Sequence, residues 1–345
     1  MKKNKLFVSL LASGMLAVSP LMAQDVVKLT TSKAAGESVT LKLNQFKHGA
    51  TVDWGDGKPV EVKSTDDNLL TIEGQVKGEG VITITSKSKI TTLICSDNKL
   101  TNIDLSSAPN MRSLYCQNNE LTTLDLNACK LLNDLNCSNN KISKIKVTES
   151  THPQIENLNL ADNGMTSNTG TGSSFRMSNL NLQHLDFSNN KFKSLSLPDS
   201  TNLDVLKFAN NEITTMALKN AYHLSVLMCS DNGVKRVTFH KDGMPKMRQL
   251  FADGNEIADL DVSQSTQLHY LSVENNVLTS VGLPERHTLY AYACGGNKLT
   301  FSSLPGKASM PEHISYVPQA ENVDITDFLK KNASRHYFMQ LAPDY

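Results

Sequence analysis

From residue 90 onward the chain repeats one spacing of apolar side chains. An apolar residue is followed three positions later by a second, two later by a third, and three beyond that by Asn. It reads Ile90, Leu93, Cys95, Asn98, then Met111, Leu114, Cys116, Asn119, then Leu132, Leu135, Cys137, Asn140. Ile155, Leu158, Leu160, Asn163 and Leu182, Leu185, Phe187, Asn190 follow. Five more copies start at Leu203, Leu224, Met247, Leu268 and Leu289 and reach Asn211, Asn232, Asn255, Asn276 and Asn297. Successive Asn lie 21 to 27 residues apart. Alternation at the fourth and sixth positions predicts a short strand with those residues pointing inward. One such strand cannot bury its apolar face, but stacked copies form a parallel sheet over a continuous core. Each buried Leu then contributes about 1.5–3 kcal/mol. The Asn falls where the chain turns out of the strand and leaves backbone groups without ladder partners. Its amide both donates and accepts, so a column of Asn can serve those groups from turn to turn.

The second half of each unit repeats a shorter apolar spacing, as in Leu121, Leu124, Leu126 and Ile213, Met216, Leu218. A 21-residue unit has no room for a full helix and two turns, so this half is expected to be extended or 3₁₀ chain. The frame resembles the leucine-rich repeat, L-x-x-L-x-L-x-x-N-x-L, over residues 88–305. The segments LTTLDLNACKLLNDLNCSNNKI and ICSDNKLTNIDLSS are similar to the cysteine-bearing internalin subgroup of exported bacterial repeat proteins. That resemblance implies an α/β-type but mostly β, right-handed solenoid of about ten repeats, with its parallel sheet on a concave face and a short β cap at the N-terminus.

Cys95, Cys116, Cys137, Cys229 and Cys294 all occupy the sixth, inward position. Six cysteines in an exported chain would ordinarily suggest disulfides. Adjacent rungs are about 4.8 Å apart with parallel Cβ vectors, whereas disulfides want Cβ atoms near 3.8 Å and a twisted approach. Cys95, Cys116 and Cys137 are therefore expected to form a stacked ladder of reduced, buried thiols, and all five to pack in the core as small hydrophobes. Cys129, aligned with Ala108, Ser150 and Ala221, is expected at a small, half-buried position.

The ends depart from the frame. Residues 24–87 have strand character without the repeat, and TVDWGDG resembles the hairpin of PKD-like β modules. An Asp-Gly turn beside a packed Trp54 explains it more simply than a calcium or carbohydrate contact through Asp53 and Asp56. Residues 306–345 lose the pattern and read as a tail or the start of an incomplete β domain. At the other end, Lys2, Lys3 and Lys5 precede an apolar run from Leu6 to Met22 that ends at Ala23-Gln24. This is the layout of a signal peptide covering residues 1–23.

Composition then adds a little. Basic and acidic residues are equal at 34 each. Loss of three signal-peptide lysines would leave the mature chain near −3, which argues against a nucleic-acid binder. No later segment is apolar enough to span a membrane. No HExxH, GxSxG, phosphate loop or CxxC occurs, the nine His are scattered in phases that suit the rim, and no ligand spacing for a metal or cofactor is present. An enzyme is not expected. The Asp or Asn that precedes a column Asn at Asp97, Asn118, Asn139, Asp162, Asn189, Asn210 and Asp231 is explained by left-handed turn geometry without calcium.

The outward positions, third and fifth, carry the functional expectation. The middle repeats present Asp134, Asn136, Asn157, Asn159 and Asp186, whereas later ones present Val205, Val226, Met228, Phe251 and Tyr270, with Tyr290 beside them. An apolar, aromatic group on a solvent-facing sheet marks a partner site, unless the C-terminal tail folds over it or the register is shifted by one. The expected function is an exported, adhesin-like module whose concave face holds a protein of a host or bacterial surface. Val205, Val226, Met228, Phe251, Tyr270 and Tyr290 would be the contacts, flanked by Asp186 and Lys207. A structural envelope protein and a glycan-binding module are the alternatives. The protein is expected to act as a monomer that is secreted, surface-held or periplasmic.

Overall fold

In a computed structural model of the chain, the described residues are 24–316 and Gln319, without 45–48, 64–68, 149, 168–173, 177–180, 198–201, 220, 240–242, 286–287, 301–310 and 317–318. The segment read as a signal peptide and most of the 306–345 tail lie outside them. The chain is a solenoid of short parallel strands, without a helix among the described residues.

Each copy of the frame gives one three-residue strand centred on its fourth position. The strands are Thr92–Ile94 (β7), Ser113–Tyr115, Asp134–Asn136, Asn157–Asn159, His184–Asp186, Val205–Lys207, Val226–Met228, Gln249–Phe251, Tyr270–Ser272 and Ala291–Ala293. All pair in parallel and in register, so the third and fifth positions form two straight rows on one face. The centres and the sixth positions are buried. The second halves are extended, as their length requires. Ser174–Arg176 pairs with Ser194–Ser196, Thr215–Ala217 with Arg236–Thr238, and Asp259–Asp261 with Ser280–Gly282.

The sheet does not stop where the frame fades at residue 305. His313–Ser315 pairs in parallel with Ala291–Ala293, and Gln319 stands where an Asn would stand. Its Nε2 donates to the Cys294 carbonyl at 3.0 Å and its Oε1 accepts from Leu299 N–H at 2.9 Å. Sequence reading missed this rung because Pro311, Ile314, Tyr316 and Gln319 keep the spacing but lack both Leu and Asn.

At the other end, the strands Asp25–Thr31 (β1), Ser38–Leu43 (β2), Ala50–Asp53 (β3), Val60–Val62 (β4), Leu70–Gln75 (β5) and Val81–Ser86 (β6) meet the solenoid twice. β2 pairs antiparallel with β7 and carries β5 on its far edge. β1 pairs with Leu100–Ser107 (β8), the second half of the first repeat, and with β6. Buried side chains run without a break from Val27 to Tyr316 in one core. Within β5, a Cβ on Gly74 would stand 2.1 Å from Trp54 Cε2, so only glycine lets the indole lie against that strand. The turn after Trp54 is held by Asp53 Oδ1, which accepts from the backbone N–H of Gly55, Asp56 and Gly57 at 2.9–3.1 Å. Asp56 is paired with Lys77 at 2.8 Å. Both carboxylates are thus engaged in the turn.

All six cysteines are unpaired and buried. Cys129 is fully enclosed, not half-exposed. Counting back from the next inward residue, its column is Ala108, Cys129, His152 and Ala221. The 23-residue third repeat moves Ser150 out to solvent and puts His152 into that column, 1% exposed. This histidine is an exception to the rim positions expected of the set. Its ring bonds to Thr151 Oγ at 2.9 Å and the Leu126 carbonyl at 3.1 Å, and burial lowers its pKa.

Candidate partner-binding face

The rows on the outer face are set by what lies beneath them. Each column Asn fixes a turn. Asn119 Nδ2 donates to the carbonyls of Cys95 in the previous rung (3.0 Å) and Cys116 in its own (2.9 Å). Its Oδ1 accepts from the N–H of Asn98 and Leu100 at 3.1 and 2.9 Å. The same donation to the sixth-position carbonyl one rung back recurs at Asn140, Asn163, Asn190, Asn211, Asn232, Asn255, Asn276 and Asn297. Asn98 has no earlier repeat and turns instead to the Thr40 carbonyl of β2, at 2.8 Å. The residue before each Asn has positive φ at Asp97, Asn118, Asn139, Asp162, Asn189, Asn210, Asp231 and Asn275, with Gly254 and Gly296 completing the series.

On this frame the candidate contacts come together in one region. Val205 lies beside Val226, and Lys207, Met228 and Phe251 follow one another across three rungs. All five are half-buried by their neighbours. Tyr270 and Tyr290, 39% and 42% exposed, meet edge-to-face at 5.8 Å between centroids. Gln249 separates Tyr270 from Val226 along its row. The eleventh rung adds His313, whose Nε2 is 3.0 Å from Tyr290 Oη. Asp186 pairs in register with Lys207, and His184 of the same rung pairs with Val205.

Toward the N-terminal side the face turns polar around a depression of about 570 Å³, lined by Tyr115, Asp134, Asn136, Asn157, Asn159, His184, Asp186 and Lys207 among others. The Tyr115 hydroxyl pKa is raised by burial and by the charge of Asp134. Among the described residues, no three His, Cys, Asp or Glu side chains converge as a metal site would require. Nor is any helix there long and apolar enough to cross a membrane.

The family profile described as Leucine Rich Repeat matches residues 181–203, one repeat of the series. No curated protein matches the sequence. Among solved structures, the functional domain of InlJ from Listeria monocytogenes, described as including a cysteine ladder, is 22% identical with a TM-score of 0.47. That match covers 71% of this chain and 67% of InlJ. A leucine-rich-repeat protein of Leptospira interrogans is 21% identical, with a TM-score of 0.47 and 66% of each chain covered. The internalin InlF of Listeria monocytogenes is 17% identical, with a TM-score of 0.45 and coverage of 70% and 85%.

Proposed function

We propose that this chain is an exported, adhesin-like module of internalin type that holds a protein partner against the outer face of its parallel sheet. The observation behind this reading is the apolar block of Val205, Val226, Met228 and Phe251, continued by the tyrosines 270 and 290. A sheet face that only meets water favours polar side chains, and the rungs just before the block have them. Exposed aromatic and apolar groups gathered on a rigid surface are what a binding hot spot requires. Asp186 and Lys207 flank the block and would set register and exclude mismatched partners. The surface works by complementarity alone and asks for no cofactor. Residues 24–87 would close the core at the N-terminal end, and residues 1–23 would direct export.

The experiment compares the mature protein with a Met228→Asp/Phe251→Asp variant in capture of surface proteins from host and bacterial cells, read by mass spectrometry. Both substituted side chains point outward, so the variant should keep its circular dichroism and unfolding midpoint. Partners retained by the parent should be lost by the variant. Equal capture by a folded variant would exclude the block as the contact surface.

A further inference from the structure

The polar half of the outer face has an order of its own. Third-position side chains of four successive rungs form one hydrogen-bonded row. Ser113 Oγ donates to Asp134 Oδ2 at 3.3 Å, Asn157 Nδ2 donates to Asp134 Oδ1 at 2.5 Å, and Asn157 Oδ1 lies 2.6 Å from His184 Nδ1. An ionised carboxylate only accepts, so it holds the NH₂ of Asn157 toward itself. The amide oxygen left over then requires the proton of His184 on Nδ1. In the neutral ring, Nε2 is therefore an acceptor that this row leaves open.

The fifth-position row is oriented by the backbone. Ser138 N–H donates to Asn136 Oδ1 at 3.1 Å, Ala161 N–H to Asn159 Oδ1 at 3.0 Å, and Ser188 N–H to Asp186 Oδ1 at 3.0 Å. Because N–H groups can only donate, these bonds fix which atom of each amide is oxygen. The NH₂ groups of Asn136 and Asn159 and the second oxygen of Asp186 are left to face outward. Asp134, Asn136, Asn157, Asn159, His184 and Asp186 border the 570 Å³ depression, a volume within the range of about 300–1,000 Å³ usual for small-ligand sites.

The face thus offers fixed donors and fixed acceptors side by side, on rungs about 4.8 Å apart. A hydroxyl group answers both, because it donates and accepts at once. An anion would meet the two carboxylates against the single ammonium of Lys207. An apolar ligand would leave the amides unpaired. We propose that this depression is a saccharide site that takes a short, neutral, hydroxyl-rich glycan. Asn136 and Asn159 donate to its hydroxyls, and Asp186 and His184 accept from them. The depression adjoins the apolar block and shares Val205, Asp186 and Lys207 with its margin, but the donors Asn136 and Asn159 lie outside the block.

The test is an array of neutral, sialylated and sulfated glycans probed with the exported chain and three variants. Binding to neutral glycans is expected. It should weaken about tenfold in Asn136→Ala/Asn159→Ala, the loss expected when two hydrogen bonds to ligand go. It should weaken less in Tyr115→Phe, which removes one hydroxyl and leaves the ring in place, and stay unchanged in Met228→Asp/Phe251→Asp. Absence of signal, signal on acidic glycans alone, or signal that persists in both polar-half variants overturns the proposal. So does loss of protein capture without loss of glycan binding in the Asn variant, which would make the depression part of the protein interface.

Discussion

Two residue types account for most of the unusual chemistry of this chain, and both act inside it. A column Asn works because it is an amide and not merely polar. Asn119 is 8% exposed and directs its NH₂ to three carbonyls and its oxygen to two N–H groups. Asn119→Asp keeps size and acceptors but loses the donor, and Asn119→Ala loses both. Each should lower unfolding free energy by about 2–4 kcal/mol in denaturant titration, since a buried group left unpaired costs about 1–3 kcal/mol. The thiols give a pH prediction. Burial pushes Cys137 from an ordinary 9.0 to about 12, and the neighbouring thiols of Cys95 and Cys137 add their charge to the burial that raises Cys116. The raised folded-state pKa means that this stabilisation is complete below pH 9 and is lost as pH rises toward 12. Between those values each such thiol ionises only in the unfolded chain, so stability should fall by about 1.4 kcal/mol per pH unit per thiol. Cys137→Ala should make that alkaline slope shallower. Thiol reagent at pH 8 should leave the native protein unmodified and find six free thiols after denaturation, whereas two or more disulfides would contradict the reduced column.

The element that repeats is a three-residue strand followed by a left-handed turn, and the turn residue is selected by φ. Asn189 sits at φ 55° in a column where Gly254 and Gly296 also occur. Asn189→Gly should cost only a few tenths of a kcal/mol. Asn189→Ile, with a branched Cβ forced into that region, should cost about 1–2 kcal/mol or more, measured as a shift in unfolding midpoint. Most of this element was legible in the sequence, because the period-two alternation and the Asn column are local signals. What was not legible depended on neighbours. Phe175 lies in the 27-residue repeat, outside any frame position, yet it stacks on Phe187 at 4.3 Å and meets Phe192 edge-on. The wider loop is filled by a ring that spacing alone does not announce. His152 escaped notice for the same reason, since a two-residue insertion moved it one column inward. Of the candidate face, the outward rows could be named from the alternation. The hydrogen bonds that orient Asn136 and Asn159 could not, because they depend on turn geometry two residues further on.

For the whole molecule, the relevant fact is that one core runs from β1 to the eleventh rung. β2 and β8 carry the N-terminal strands onto the first repeat from two sides, and Asp25 accepts from Ile90 N–H at 2.8 Å across that junction. A chain that starts at residue 88 would expose the first rung's apolar face. It should be recovered as aggregate, or unfold well below the parent in a thermal melt, and a soluble chain of parental stability would refute a closing role for residues 24–87. The Asn column also bears on how such a molecule can change in length. Every column Asn after Asn98 donates to the rung behind it as well as to its own, so the same pair of donor bonds recurs from turn to turn. Gaining or losing one complete unit slides this pattern along and keeps each amide between two rungs, whereas gaining half a unit breaks it. The number of rungs, and with it the reach of the outer face, is therefore open to change in whole steps by unequal exchange between copies, at almost no cost to the ability to fold.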